Sequence, residues 1–503
     1  MVLDTQRVDG SMVSRRNVIV SATAGVAALV TAGAAGAARG TDAGAAPPEA
    51  TPAPGHPGHT GHVHPAAARA VKPFSVRMPV PKVLRPESTK GDTDLYVVTA
   101  KKAKVEILPG TRTEVLTYAG MFPGPTIRVR TGRTAVVKHT NGLDIGTVAH
   151  VHGGCTPASS DGFPTDTVAP GKSRDYTYPN KQRAATLWYH DHAHHMEAEH
   201  VFRGLAGFYL IDDPAEAALR LPSGDYDIPI MLRDARFDDK ARLVFELNDF
   251  EKRSTILANG KPQPYLPVAA RRYRLRFVNA SNLRTFTLRL GKDTQVAQIA
   301  SDGGLLAAPA AIRSWRMMPG ERVEIVVDFS RFKVGSQVVL NDADAGPVMR
   351  FDVGRSATAD TSRVPDRLST IPAMPAATGR RRIVLSFDRS TGRFLINGRQ
   401  FDQKRVDAEI KRGTTEIWTL TNDNSGFAVP HNFHPHLVQF RILDRDGKPP
   451  APGEAGVKDT VGVAPGETVR LQATFGPYTG RYVYHCHMID HSSTGMMAQM
   501  KIV

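Results

Sequence analysis

The segment Tyr484-His485-Cys486-His487-Met488-Ile489-Asp490-His491, followed by Gly495-Met496, concentrates side chains that bind transition metals. On an extended strand alternate side chains face opposite ways, so His485 and His487 share one side and Cys486 points to the other. One tripeptide can therefore serve two metal sites. On the cysteine side, a thiolate with two imidazoles and a weak axial thioether makes a blue-copper electron-transfer site. His491 and Met496 follow Cys486 at distances a short loop can fold back, which leaves one imidazole to come from elsewhere. On the histidine side, His485 and His487 need metal partners from other segments.

Three further clusters supply them. His150-Val151-His152 and His190-Asp191-His192 are His-x-His pairs whose rings project from one strand face, and His431-Asn432-Phe433-His434-Pro435-His436 adds a triplet. A lone His-x-His pair is a weak signal, but three clusters with a His-Cys-His segment in one chain form a constellation that core packing does not explain. Ten of the 18 histidines lie in these clusters, four lie at His56, His59, His62 and His64, and the rest are His139, His194, His195 and His200. None occurs from Val201 to Pro430. Histidines confined to the first and last parts of the chain imply a metal site at the interface of those parts, with the middle acting as a spacer.

The elements that must hold these ligands are legible as a repeat. Pro170-Gly171, Pro319-Gly320 and Pro465-Gly466 recur about 150 residues apart, each before an alternating stretch such as Arg322-Val323-Glu324-Ile325-Val326-Val327. A second landmark, an Asn ending a strand-like run, recurs at Asn141, Asn279 and Asn422. Two landmarks repeating in step predict an all-β chain of three similar Greek-key β-sandwich or barrel domains, over residues 73–215, 216–375 and 376–503. The 503-residue length, with 44 Gly and 36 Pro, agrees with three domains of short strands and turns.

These motifs resemble the multicopper oxidase family, in particular the three-domain bacterial laccases related to spore-coat laccase, bilirubin oxidase and phenoxazinone synthase. The resemblance covers most of residues 75–503. It includes Phe122-Pro123-Gly124-Pro125-Thr126, Leu187-Trp188-Tyr189-His190-Asp191-His192, Gly204-Leu205-Ala206-Gly207-Phe208-Tyr209 and the His-Cys-His terminus. It implies three consecutive cupredoxin-like domains and four copper ions: one type 1 at His431, Cys486, His491 and Met496, one type 2 at His150 and His434, and two type 3 at His152, His190, His192, His436, His485 and His487. It also implies the activity, a laccase-like oxidation of phenols or aromatic amines coupled to reduction of dioxygen to water. Asn432 stands where the family usually has Pro, and Asp490 where bacterial members often have Glu. Water formation consumes protons, and Asp161, nine residues after His152, and Asp490, just before His491, are the carboxylates expected to relay them.

Two other functions compete. A cuprous-ion oxidase serving copper tolerance would take a metal ion as reductant and would benefit from a soft methionine-rich site, yet the 14 methionines form no such insert. A non-catalytic cupredoxin scaffold or copper-binding protein would be marked by lost ligands, and all twelve are present. The net charge of +15 is scattered without an aromatic-interleaved stripe, which argues against a nucleic-acid partner. Two cysteines, Cys155 and Cys486, exclude a disulfide scaffold. Residues 1–40 read as a twin-arginine-type signal, with Arg15-Arg16 before an Ala/Val/Gly run and Ala35-Gly36-Ala37 as a cleavage site. Export to the periplasm or the extracellular space, with no stable membrane insertion of the mature chain, is the expectation. Residues 41–72 read as an Ala/Pro/His-rich flexible linker.

Overall fold

The two repeated landmarks touch each other in space. In the computed structural model, which describes residues 71–356, 360–423 and 428–503, the backbone N–H of Gly171 donates to the carbonyl of Asn141 (2.7 Å), that of Gly320 to Asn279 (2.8 Å) and that of Gly466 to Asn422 (3.0 Å). Each asparagine ends a strand, Thr134–Asn141, Arg272–Asn279 or Thr415–Asn422. Each of these strands pairs antiparallel with the alternating stretch after its Pro-Gly, namely Ser173–Tyr178, Arg322–Asp328 or Thr468–Thr474. The Asn amide then donates to two carbonyls of the adjoining loops: Ile145 and Val168, Arg284 and Met317, or Val429 and Val463. A buried amide that satisfies loop carbonyls in this way explains why Asn marks the corner in all three repeats.

The strands form three successive pairs of sheets, spanning 88–212, 227–356 and 379–502. In the first pair a five-stranded sheet faces the four-stranded sheet that carries Ala149–His152 and Ala185–Asp191. The middle pair has seven and five strands, and the last has five and five. Each pair contains a parallel neighbour at the same place, Thr93–Val105 with Thr134–Asn141, Asp227–Ala235 with Arg272–Asn279, and Gly379–Asp388 with Thr415–Asn422. Parallel neighbours need a crossover connection, so the chain cannot run as a simple meander. The architecture is all-β, with three cupredoxin-like domains.

Period-2 burial produces the cores: Thr468–Thr474 alternates buried Val469, Leu471 and Ala473 with more exposed neighbours. In the last domain Trp418 packs against Phe433, Phe475 and Tyr484, with ring centroids 5.2 to 5.9 Å apart. A separate apolar cluster, including Trp188, Phe208, Met231, Val278 and Ile489, draws on all three domains and fixes their mutual placement. Among the described residues no helix is long and apolar enough to cross a membrane. The export segment 1–40 and all but the last two residues of the 41–72 linker, with His56, His59, His62 and His64, lie outside the described residues.

Candidate metal centre

Strand register assembles the histidines. Ala149–His152 lies antiparallel to Ala185–Asp191 with His150 opposite His190, and His431–Pro435 lies antiparallel to Gly480–His485 with His434 opposite His485. These two ladders, from the first and last domains, meet face to face. The ring of His150 stacks on that of His436 (3.8 Å) and the ring of His152 on that of His434 (3.7 Å). All eight histidines of the cluster are at most 2 % exposed.

Each ring has one nitrogen turned inward. Nε2 of His192 and Nε2 of His436 each lie 3.2 Å from Nε2 of His485, and Nδ1 of His152 lies 3.0 Å from Nε2 of His487. Nε2 of His150, His190 and His434 is buried with no hydrogen-bond partner among the described residues. Unpaired buried nitrogens aimed at one another are costly unless they share a cation. The other ring nitrogen is held from behind: that of His150 by the Asp161 carbonyl (2.6 Å), of His190 by the Asp191 carbonyl (2.9 Å) and of His434 by the Asp459 carbonyl (2.7 Å). Carboxylates stand behind three more: Asp161 bonds His436 (2.7 Å), Asp459 bonds His152 (3.1 Å), and Glu197 lies 2.9 Å from Nδ1 of His192 as a charge partner. Orienting contacts of this kind fix the tautomer of a ligating imidazole, so the donor set fits bound copper.

On the far side of the His-Cys-His segment, Sγ of Cys486 lies 3.6 Å from Nδ1 of His431 and 3.6 Å from Nδ1 of His491. The strand itself ends at His485, yet the alternation expected of it persists: Cys486 joins one group and His485 and His487 the other. Met496 is buried in the same core, with its carbonyl accepting from Cys486 N (3.1 Å) and its N–H donating to the His491 carbonyl (3.0 Å). Burial pushes the Cys486 thiol up to about 12, so a metal must displace its proton on binding. The short helix α2 (Ile489–Ser493) presents His491, whose ring is covered by Phe394 at 3.8 Å. Both rings line a cavity of about 350 Å³ together with Asn248, Phe250, Leu283 and Met488.

Asp490 bonds none of the eight histidines; it is wholly buried and accepts from Arg253, Asn248 and Asn282 instead. One expectation is corrected. The middle domain is more than a spacer. Its Gly320 lies so close that an added Cβ would come within 2.9 Å of the His487 ring, and its buried Arg322 pairs with Asp459 behind His152. Glu197, in helix α1 (Glu197–Arg203), was missed, although an acid in the first turn of a helix beginning just after a His-x-His pair was a visible signal. Of the remaining histidines, His139 bonds Thr147 and His200 pairs with Asp191 (2.8 Å); neither joins the centre.

Burial holds His190 and His434 down at about 3 and His431 at about 4. At His192 burial acts downward too, but Glu197 outweighs it and the net direction is up; Asp191 does the same for His200. A histidine lowered in the folded chain takes up protons more readily when unfolded, so its stabilising contribution is present above about 6.5 and is lost as pH falls toward its folded value. Copper-free protein should therefore lose about 1.4 kcal/mol per pH unit for each such histidine below pH 6.5, partly offset by His192, His200 and the raised carboxyl of Asp161. Thermal melts of copper-free protein between pH 7 and pH 4 check this; a Tm that holds or rises on acidification would contradict the buried neutral cluster.

The comparisons agree with this geometry. The family pattern described as multicopper oxidase matches residues 99–216 and, in a second form, residues 372–503. The laccase of Bacillus subtilis (strain 168) is 34% identical, over 85% of this chain and 98% of its own length. The bilirubin oxidase of Albifimbria verrucaria is 35% identical, over 90% of this chain and 84% of its own. A crystal structure of laccase from Pediococcus acidilactici superposes with a TM-score of 0.80 at 33% identity, covering 87% of this chain and 96% of that one. With relatives of this extent, the chain belongs to the multicopper oxidase family, as a laccase-like copper oxidoreductase that uses dioxygen.

Proposed function

We propose that the protein binds four coppers and oxidises phenols or aromatic amines. His431, Cys486, His491 and Met496 would hold one ion (type 1), and His150 and His434 a second (type 2). His152, His190 and His487, with His192, His436 and His485, would hold the type 3 pair. Copper supplies one-electron redox chemistry, which joins single-electron donors to the four-electron reduction of dioxygen to water. The observation that carries the donor class is the cavity beside His491. Its walls of Phe250, Leu283, Phe394 and Met488 suit the flat apolar body of an aromatic ring, and a single methionine there gives little purchase to a cuprous ion.

The chain's own residues do the remaining work. The cavity seats the donor against the His491 edge, and Cys486 places its peptide neighbours His485 and His487 in the eight-histidine cluster. Burial of that cluster excludes bulk water, while Asp161 and Glu197 stand at His436 and His192 to hold and pass protons at Oδ2 and Oε2. Oxygen uptake by copper-loaded protein tests the reading: a substituted phenol should be used with kcat/KM at least about tenfold above that for cuprous ion. Preference for cuprous ion would replace this function with metal oxidation. Export by the twin-arginine route belongs to the same proposal and rests on Arg15-Arg16 and the run after them. The mass of the exported chain should correspond to a start near residue 38, and retention of the full-length chain inside cells would refute it.

A further inference from the structure

Asp490 and Arg253 form an ion pair at 2.8 Å, and both are wholly buried. Oδ2 of Asp490 also accepts the backbone N–H of Asn248 (2.8 Å), and Oδ1 accepts Nδ2 of Asn282 (2.7 Å). Arg253 turns the same Nη2 toward the Glu246 carbonyl (2.6 Å) and lays its guanidinium over Phe202 and Phe245. Asp490 is the only carboxylate in ion-pair contact with Arg253 among the described residues. Residues 246–253 of the middle domain are thus tied to one side chain of α2 at Asn248 and Arg253, and Arg253 in turn holds the Glu246 carbonyl.

That stretch is a wall of the donor cavity. Asn248 and Phe250 line it opposite Phe394 and His491. Leu247 and Phe250 stand 47 % and 45 % exposed beside it, so apolar packing does little to hold the tip in place. Asn248 adopts a left-handed φ of 59°, a conformation that needs support from bonded neighbours. Arg236 gives a second tie to Glu246 and Asp249, but on the partly exposed side, where an ion pair is weaker.

We propose that Asp490 is a positioning residue for donor binding: it sits one residue before His491 and fixes the 246–253 wall at the distance from His491 that an aromatic donor fills. The proposal rests on the reading that the donor is oxidised in this cavity. Its chemistry is simple. A carboxylate offers acceptors to all three donors, whereas an amide offers one oxygen and turns an N–H₂ group toward the others.

The test uses full-length copper-loaded protein. Asp490→Asn should raise KM for a phenol about tenfold while kcat stays within about twofold and the blue absorption is kept. Hydrogen exchange across residues 246–253 should speed up, and reoxidation of the reduced protein by dioxygen should be unchanged. Because an unpaired buried guanidinium can unfold a protein, the double variant Asp490→Asn/Arg253→Met removes both charges and should show the same KM and exchange changes. Unchanged KM and unchanged exchange in the double variant would overturn the proposal. Slowed reoxidation at unchanged KM would overturn it as well and assign Asp490 to proton transfer. Parent protein that oxidises no phenol would reject the donor reading instead, and the exchange result would still decide whether Asp490 holds the wall.

Discussion

Cys486→Ser, loaded with copper, is expected to lack visible blue absorption and to turn over donors at less than about a thousandth of the parent rate, while retaining the copper held by the eight histidines. Sγ is equidistant, at 3.6 Å, from the inward nitrogens of His431 and His491, and among the described residues no carboxylate joins that group. Burial opposes ionisation of the thiol, so only a bound cation makes the thiolate the stable form. A serine hydroxyl in the same place is a hard and far weaker acid, and it cannot donate charge as a thiolate does. The eight histidines lie on the other side of the peptide and keep their own contacts to Asp161, Asp191, Glu197 and Asp459, so their copper should stay. Visible spectra, metal content and oxygen uptake on one preparation decide it. A variant that stays blue and active would show that Cys486 is not the entry ligand, and loss of all copper would show that the two groups of ligands are not separable.

How much of this was readable in the sequence depends on the distance between partners. The ligands were legible because histidine is scarce in the rest of the chain and because strand alternation converts His-x-His and His-Cys-His into faces. The corner residues Asn141, Asn279 and Asn422 were legible as a period, though their role, accepting from the Pro-Gly glycine, needed coordinates. The long-range partners of the groups around the ligands left no local pattern. Glu197 meets Ser492 295 residues away, Arg322 meets Asp459 137 residues away, and Arg253 meets Asp490 237 residues away. Such pairs form only after the three domains dock, and any Arg or Asp in a strand looks alike beforehand. The surroundings of Asp490 were hidden for this reason: adjacency to His491 in sequence puts it on α2, but on the side that faces Arg253. Asp161 was found by the same kind of argument and does reach the cluster, because the loop after His152 folds back over its own strand and brings the Asp161 carbonyl to His150 and its carboxylate to His436.

Reoxidation of the reduced protein by dioxygen should slow about a hundredfold in Asp161→Asn, with reduction by a phenol nearly unaffected. Two waters require four protons, and buried neutral imidazoles whose one N–H is tied to a carbonyl or carboxylate have none to spare. Among the described residues two carboxylates touch ligands on the side where His192, His436 and His485 converge: Asp161 through Oδ2 at His436 and Glu197 through Oε2 at His192. Burial pushes the Asp161 carboxyl up to about 8, and the charge of nearby copper acts in the opposite direction. Oδ1 of Asp161 is buried with no hydrogen-bond partner among the described residues and could carry the proton. Asn keeps an oxygen for the N–H of His436 and nearly the same volume, so the ring should stay in place while the exchangeable proton is lost. A larger solvent isotope effect on reoxidation in the parent than in the variant would mark proton delivery. Glu197→Gln serves as the comparison: if it slows reoxidation and Asp161→Asn does not, delivery runs along α1 from Glu197. If Asp161→Asn merely lowers copper content, with normal reoxidation of the loaded fraction, Asp161 orients His436 and moves no proton.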